Sequence, residues 1–219
     1  MIAEMNKVVQ DQAAAQPLAD EPVAANVNGG YRCFKRSFDV VVSLAAMLVL
    51  WLPMLLIGIL IRIDSPGPAI FRQERMGKAG KTFIIYKFRT MRMDAPNNVP
   101  TSQMDVSQGY ITKIGAVLRR TSIDELPQLF NVLRGDMSLV GYRPVCLCEE
   151  ELNALRGRLG VFAVRPGITG LAQVSGRDHL SYREKALLDA QYVQNRSVKL
   201  DLWCMVKTVS IVLSGEGVK

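Results

Sequence analysis

Between Asp39 and Arg62 the chain runs 22 residues, Val40–Ile61, without a charged side chain. A bilayer's hydrocarbon core needs about 20 apolar residues of helix to cross it. The buried helix of a soluble protein seldom runs so long without a polar face. The stretch therefore reads as membrane-inserted. Arg32, Lys35 and Arg36 precede it, and Arg62, Arg72, Arg75 and Lys78 follow it. A spanning helix keeps its Lys and Arg excess on the cytoplasmic side alone, yet here both flanks ask for that side. Pro53 falls near the middle, where it removes a backbone hydrogen bond and bends a helix. The expectation is a re-entrant helix hairpin over residues 31–64, broken at Pro53, that enters one leaflet and returns.

Charge divides the rest of the chain. The formal net charge is +7; the first thirty residues hold Glu4, Asp11, Asp20 and Glu21 against Lys7, a net of −3, so residues 31–219 carry +10. Those first thirty residues are rich in Ala, Gln, Asn, Asp and Pro and end in Asn28-Gly29-Gly30. They read as a disordered leader, without the basic start and apolar core of a secretory signal. The basic remainder suggests an anionic partner: a phosphorylated substrate, an anionic lipid surface or nucleic acid. The four cysteines are Cys33, Cys146, Cys148 and Cys204, beside a single His179. Cys146-x-Cys148 is too close for a zinc knuckle, and all four are expected as reduced thiols.

Past the apolar stretch, residues 69–73 and 82–88 read as two short strands joined by a basic turn. The turn's "GKAGKT" is not a phosphate loop, because Arg75 stands where the first glycine belongs and a strand follows where a helix should. Residues 94–109 show no period and several turn formers and read as a loop. Residues 110–120 look helical. "SIDELPQ" at 122–128 admits two readings. Ser122-x-x-Glu125 matches a helix-starting capping box; adjacent carboxylates beside Arg119 and Arg120 also suit a metal or a nucleophile. Either way a helix through Leu133 follows. "RGDMSLVGYRP" and "RPGITGLAQVSGR" are punctuated by Gly and Pro. Residues 180–195 read as a polar-faced helix, and 201–213 as a core or interfacial helix, with Trp203 and Lys207 favouring the interface. The expected fold class is α+β, mostly helical, with a small antiparallel β element and one N-terminal membrane-inserted helix; residues 65–219 are expected as one further domain.

Several stretches taken together resemble a known family. They are "FKRSFDVVVSLAA", "DSPGPAIFRQERMGKAGKTFIIYKFRTM", "LRRTSIDELPQLFNVLRGDMSLVGYRPV" and "VRPGITGLAQVSGR" with "LDAQYVQN". In this order and spacing they resemble the bacterial sugar transferases, the monotopic phosphoglycosyl transferases. The resemblance implies transfer of a sugar-1-phosphate from a UDP-sugar to a polyprenyl phosphate with release of UMP. That reaction begins exopolysaccharide, O-antigen or glycan assembly on the cytoplasmic face of the bacterial inner membrane, in contact with membrane lipid. It places the family's Asp-Glu dyad on Asp124 and Glu125. Asp124 would be the nucleophile that forms an aspartyl-phosphosugar, with both carboxylates beside Mg2+. Asp189 matches a further family acid that would support the metal or the acceptor phosphate. Arg119 and Arg143 match phosphate-binding positions, and Lys87 would act alike. Arg165 and Arg177 flank Gly167, Gly170 and Gly176, a loop able to offer N–H groups to an anion or simply to turn.

Two positions depart from the family: Leu52-Pro53 replaces the usual Ser-Pro, and Tyr142-Arg143-Pro144 replaces Pro-Arg-Pro. A membrane-anchored module that binds polyanions without catalysis is the rival reading, and release of UMP separates the two. Nucleic acid is disfavoured as a partner, because the arginines lack the interleaved aromatics of a single-strand binder. An ordinary nucleotide-sugar glycosyltransferase is disfavoured because no Asp-x-Asp occurs.

Overall fold

The computed structural model describes residues 29–96, 109–176 and 179–214. The leader expected over residues 1–30, apart from Gly29 and Gly30, most of the loop expected over 94–109, and Arg177 lie outside the described residues.

The apolar stretch lies within one helix, α1 (Gly29–Asp64), 36 residues long. Pro53 is exposed inside it and does not end it, so the expected break is an internal proline in a continuous helix. Among its residues only Asp39, Ser43 and Ile61 are buried. Leu44, Leu48, Val49, Trp51, Leu55 and Ile59 stand exposed. A helix this apolar and this bare lacks a protein partner for most of its surface.

The two ends of α1 are fastened to the same globular domain. Before Pro53, Phe38, Val42, Ala46 and Met47 pack on a core that includes Leu129, Leu139, Leu171, Leu188 and Tyr192. Asp39 reaches into that core, accepting from the Ser138 hydroxyl at 2.7 Å and the Leu139 N–H at 3.1 Å. After Pro53, Met54, Ile57 and Ile61 pack with Phe88 and Leu118, and Asp64 accepts from the Ile114 N–H at 3.1 Å.

Beyond α1 the antiparallel pair β1 (Ile70–Met76) and β2 (Thr82–Phe88) runs in register from Ile70↔Phe88 to Met76↔Thr82. Then follow α2 (Lys113–Arg120), α3 (Gln128–Arg134), β3 (Ser138–Val140), α4 (Glu150–Arg158), β4 (Gly167–Thr169), α5 (Leu171–Ser175), α6 (Tyr182–Asn195) and α7 (Val198–Ser214). Gly135 closes α3 at φ 97°, a conformation that favours glycine. Arg36 of α1 caps the same end, donating to the carbonyls of Val132 at 2.7 Å and Leu133 at 3.0 Å.

The sequence reading does not foresee the second sheet. The two Gly- and Pro-punctuated stretches pair in parallel as β3 and β4, Ser138↔Gly167 and Val140↔Thr169. Gly141, Gly167 and Gly170 make this possible, because a Cβ on any of them would strike backbone of the facing segment. The Gly167 N–H donates to the Tyr142 carbonyl, so that amide serves packing and is not free for an anion.

The cysteines also differ from expectation. Cys33 and Cys204 are free, but Cys146 and Cys148 are joined by a disulfide. A turn in which the Glu149 N–H bonds the Cys146 carbonyl brings their Cα atoms to 5.0 Å, within bridging range.

Asp39→Ala would leave the buried Ser138 hydroxyl and Leu139 N–H without an acceptor. The expected loss is about 1–3 kcal/mol for each orphaned group, read as a lowered unfolding midpoint in detergent. An unchanged midpoint would show that Asp39 does not anchor α1.

Candidate active site

Lys87 projects from β2, which is paired with β1 on one edge and fastened to α3 by one side chain. Asn131 of α3 accepts from the Tyr86 N–H at 3.0 Å and donates to the Ile84 carbonyl at 2.7 Å, clamping β2 on both sides of Ile85. Asp124 and Glu125 lie on a short 3-10 turn, Ile123–Glu125, between α2 and α3. Arg119 sits in the last turn of α2 and Arg143 just beyond β3. Gly115 lets α2 approach the exit of β2, since a Cβ there would collide with the Thr90 backbone.

The capping-box reading of Ser122 and Glu125 does not hold. Ser122 has φ 56° and makes no cap hydrogen bond. Glu125 instead accepts from Lys87 Nζ at 2.9 Å and from Arg143 through both guanidinium nitrogens, at 2.6 and 3.2 Å. Charge-assisted bonds to two cations outweigh a neutral cap bond. Ser122 accepts a left-handed backbone that costs about 1–2 kcal/mol, and the turn presents Glu125 to those cations. The capping box lies elsewhere, at Ser181 and Glu184 ahead of α6.

The two carboxylates of the dyad differ in state. Burial would raise Glu125, but the charges of Arg143 and Lys87 and the hydrogen bonds from both override it and hold the group well below the usual carboxylate range. Asp124 is raised, by burial first, with the Glu125 charge adding to it against Lys87, Arg143 and Arg119. No described residue hydrogen-bonds the Asp124 carboxylate. Burial also lowers Lys87 and Arg119, and Arg119 is oriented by a 2.8 Å bond from Nε to the Thr90 hydroxyl. Burial and then the Arg143 charge push Arg75 down to about 10. The sequence-expected residues Lys87, Arg119, Asp124, Glu125 and Arg143 thus form one site with three cations around two carboxylates.

Among the described residues no three His, Cys, Asp or Glu side chains group to hold a metal. Among the described residues Asp124 has no hydrogen-bond partner, and Glu125 is shared with two cations. Asp124 would be the carboxylate left to meet a magnesium ion, which one or two carboxylates can hold while phosphate oxygens and waters complete the shell.

A family model described as "Bacterial sugar transferase" matches residues 30–215. The chain belongs to this family. Among sugar transferase relatives, "Exopolysaccharide production protein PSS" of Rhizobium leguminosarum bv. phaseoli is 42% identical over 84% of this chain and 97% of its own length. A "UDP-glucose:undecaprenyl-phosphate glucose-1-phosphate transferase" of Caulobacter vibrioides is 42% identical over 83% of this chain and 70% of its own. "Galactosyl transferase CpsE" of Streptococcus agalactiae is 42% identical over 84% of this chain but 43% of its own. The chain spans less than half the length of CpsE and of several other relatives.

Two residues expected at this sugar transferase site lie apart from the dyad. Asp189, buried on α6, faces Arg156 of α4: Arg156 Nε and Nη2 donate to Asp189 Oδ2 at 2.9 and 2.6 Å. Arg156 Nη1 donates to the Arg143 carbonyl at 2.9 Å. Asp189 therefore reaches the site through Arg156 and the backbone that carries Arg143. Arg165 donates from Nε to the Gly135 carbonyl at 2.7 Å and lines a different cavity. Tyr142, which departs from the family proline, is buried beneath the Arg156 guanidinium, 5.3 Å from its ring centre, and against Phe162. The sequence reading missed Asn131, Arg156 and Thr90. Each acts by tertiary contact, and none sits in a local pattern that marks it.

Asp189→Asn would leave Arg156 buried with no counter-charge. The expected loss is about 3–5 kcal/mol of stability, with Arg156→Met/Asp189→Leu recovering most of it in denaturant titration. Loss of turnover at unchanged stability would instead place Asp189 against metal or substrate.

Proposed function

We propose that this chain is a phosphoglycosyl transferase that moves a sugar-1-phosphate from a UDP-sugar to a polyprenyl phosphate and releases UMP. The observation that carries the reading is the unequal dyad. Asp124 is unpaired among the described residues, while Glu125 is fixed between Lys87 and Arg143. One carboxylate is free to attack, and the other holds two cations where phosphate charge must be neutralised.

Asp124 attacks the sugar-linked phosphorus of the UDP-sugar. A bond forms from its carboxylate oxygen to phosphorus, and the bond from that phosphorus to UMP breaks. The polyprenyl phosphate then attacks the same phosphorus through a phosphate oxygen. The aspartyl–phosphorus bond breaks, giving the polyprenyl diphosphate sugar and free Asp124. Phosphoryl transfer asks mainly for positioning and charge stabilisation, which Arg143, Lys87 and Arg119 supply. Burial makes Asp124 more basic and so a stronger nucleophile once ionised. Asp124 and Glu125 would hold magnesium, and the ion supplies neutralisation of the phosphate charge when bound. Two relatives, one a UDP-glucose:undecaprenyl-phosphate glucose-1-phosphate transferase and one a galactosyl transferase, support a UDP-hexose donor.

The same reading sets α1 as re-entrant in the bacterial inner membrane, with the catalytic domain on the cytoplasmic face. Asp39 and Asp64 bind its two ends to one domain, which favours both ends on one side of the bilayer. The exposed stripe Leu202, Val206, Val209 and Leu213 on α7 suits the interface.

Asp124→Asn is expected to lower UMP release from UDP-glucose or UDP-galactose by about a thousandfold or more with the fold kept. A rate near wild type would exclude Asp124 as nucleophile.

Exhaustive chelation is expected to stop UMP release, and added Mg2+ to restore it. Full activity after chelation would mean that Lys87, Arg119 and Arg143 neutralise the phosphates unaided.

A further inference from the structure

A second cationic cavity, of about 150 Å3, opens at the base of α1. Its walls share no residue with the Asp124 site. Arg32 and Arg36 enter it from α1, Lys78 from the turn between β1 and β2, Arg165 from ahead of β4 and Arg196 from the end of α6. Lys35 also lines it, but its charge is matched by Asp201 at 2.9 Å. Asp39 is the one acid on its walls, and its oxygens are taken by Ser138 and Leu139.

Some of these cations have other work. Arg36 caps α3, and Arg165 donates to Gly135. Arg32, Lys78 and Arg196 make no hydrogen bond or ion pair to a described residue, and the buried Nε of Arg196 has no acceptor. Their crowding is felt: burial, then the charges of Arg165, Arg32 and Arg196, lower Lys78. Asp201 offsets part of the Arg196 charge, and the surplus of like charge that remains calls for an anion. Ligand pockets that enclose a drug-sized molecule run from about 300 Å3 upward. This cavity suits a single phosphate group better than a nucleotide-sugar.

A second feature adjoins it. An apolar slot of about 70 Å3 lies between α1 and α7, lined by Phe34, Phe38, Leu139, Val198, Leu202 and Met205. The two cavities share Lys35, Asp39 and Val140. Phe34 and Leu202 at the slot are exposed, on the helices that carry the protein's bare apolar surface.

We propose that the paired cavity binds an anionic phospholipid of the bilayer, its phosphate among Arg32, Lys78 and Arg196 and the start of an acyl chain in the apolar slot. The lipid would be a resident ligand that fixes the base of α1 against the catalytic domain, not a reactant. The inference rests on the membrane placement of α1 proposed above and not on the chemistry at Asp124.

The test uses the full chain in neutral detergent, dioctanoyl phosphatidylglycerol as probe and native mass spectrometry as readout. One lipid is expected to bind per chain. The double variant Lys78→Gln/Arg196→Gln is expected to bind it about tenfold or more weakly, as two basic groups near an anionic headgroup imply. Glycerol 3-phosphate and inorganic phosphate at matched concentration are expected to leave the lipid in place. Turnover of the double variant with polyprenyl phosphate is expected within about twofold of wild type, since the two sites share no residue. Unchanged lipid binding by the double variant would overturn the proposal. Displacement by the chain-free phosphates would make this a soluble-anion site, and displacement by polyprenyl phosphate with loss of turnover would make it the acceptor's site; either result also overturns it. Because binding and turnover are read separately, failure here is distinguishable from failure of the transferase reading.

Discussion

The Glu125 carboxylate joins three segments that are far apart in sequence. Lys87 brings β2 to it, Arg143 brings the chain beyond β3, and Glu125 itself fixes the turn between α2 and α3. Without this anion, Lys87 and Arg143 would be two like charges facing each other in a half-buried site. Repulsion there is strong because solvent screening is weak. With it, the cations are held ready, and the neighbouring Asp124 has no hydrogen-bond partner among the described residues. The left-handed Ser122, the Asn131 clamp on β2 and the Arg156–Asp189 pair beneath Arg143 all serve to keep those segments in place.

A similar economy governs α1. A helix with so much bare apolar surface needs fixed points if a catalytic domain is to keep a defined pose on it. Asp39 and Asp64 provide them, each a carboxylate accepting from backbone N–H groups of the domain, on either side of Pro53. Arg36 adds a third by capping α3. The basic residues nearest this anchor divide into those bound to carbonyls or acids and those left over. The leftover cations, Arg32, Lys78 and Arg196, face the phosphate-sized cavity beside Lys35, Arg36 and Arg165. Positive charge is thus organised into two separate places, one around Asp124 and one at the base of α1.

Much of this was legible before any coordinates. The 22 uncharged residues of Val40–Ile61 announced one long apolar helix, because hydrophobic length is a local property. The β1–β2 hairpin showed itself by strand-forming residues around a Gly-rich turn, and α6 and α7 by their composition. Lys87, Arg119, Asp124, Glu125 and Arg143 were named from motif resemblance, and the fold brings them together. The Ser122–Glu125 box misled, since a capping pattern is blind to cations that arrive from distant segments. The parallel β3–β4 pair stayed hidden because its strands are short and its register depends on glycines meeting glycines across the fold.

The sequence by itself determined which parts are apolar, which are basic, and which residue types are present for phosphate chemistry. These depend on composition and short-range spacing. Only the tertiary structure decided that Glu125 is neutralised while Asp124 has no hydrogen-bond partner among the described residues, that Asp189 supports Arg143 through Arg156, and that Arg165 belongs to a second cavity. The state of a carboxylate is set by its burial and by charges within a few ångströms. For Glu125, Asp189 and Arg165 those neighbours come from elements remote in the chain, so no local pattern could carry the answer.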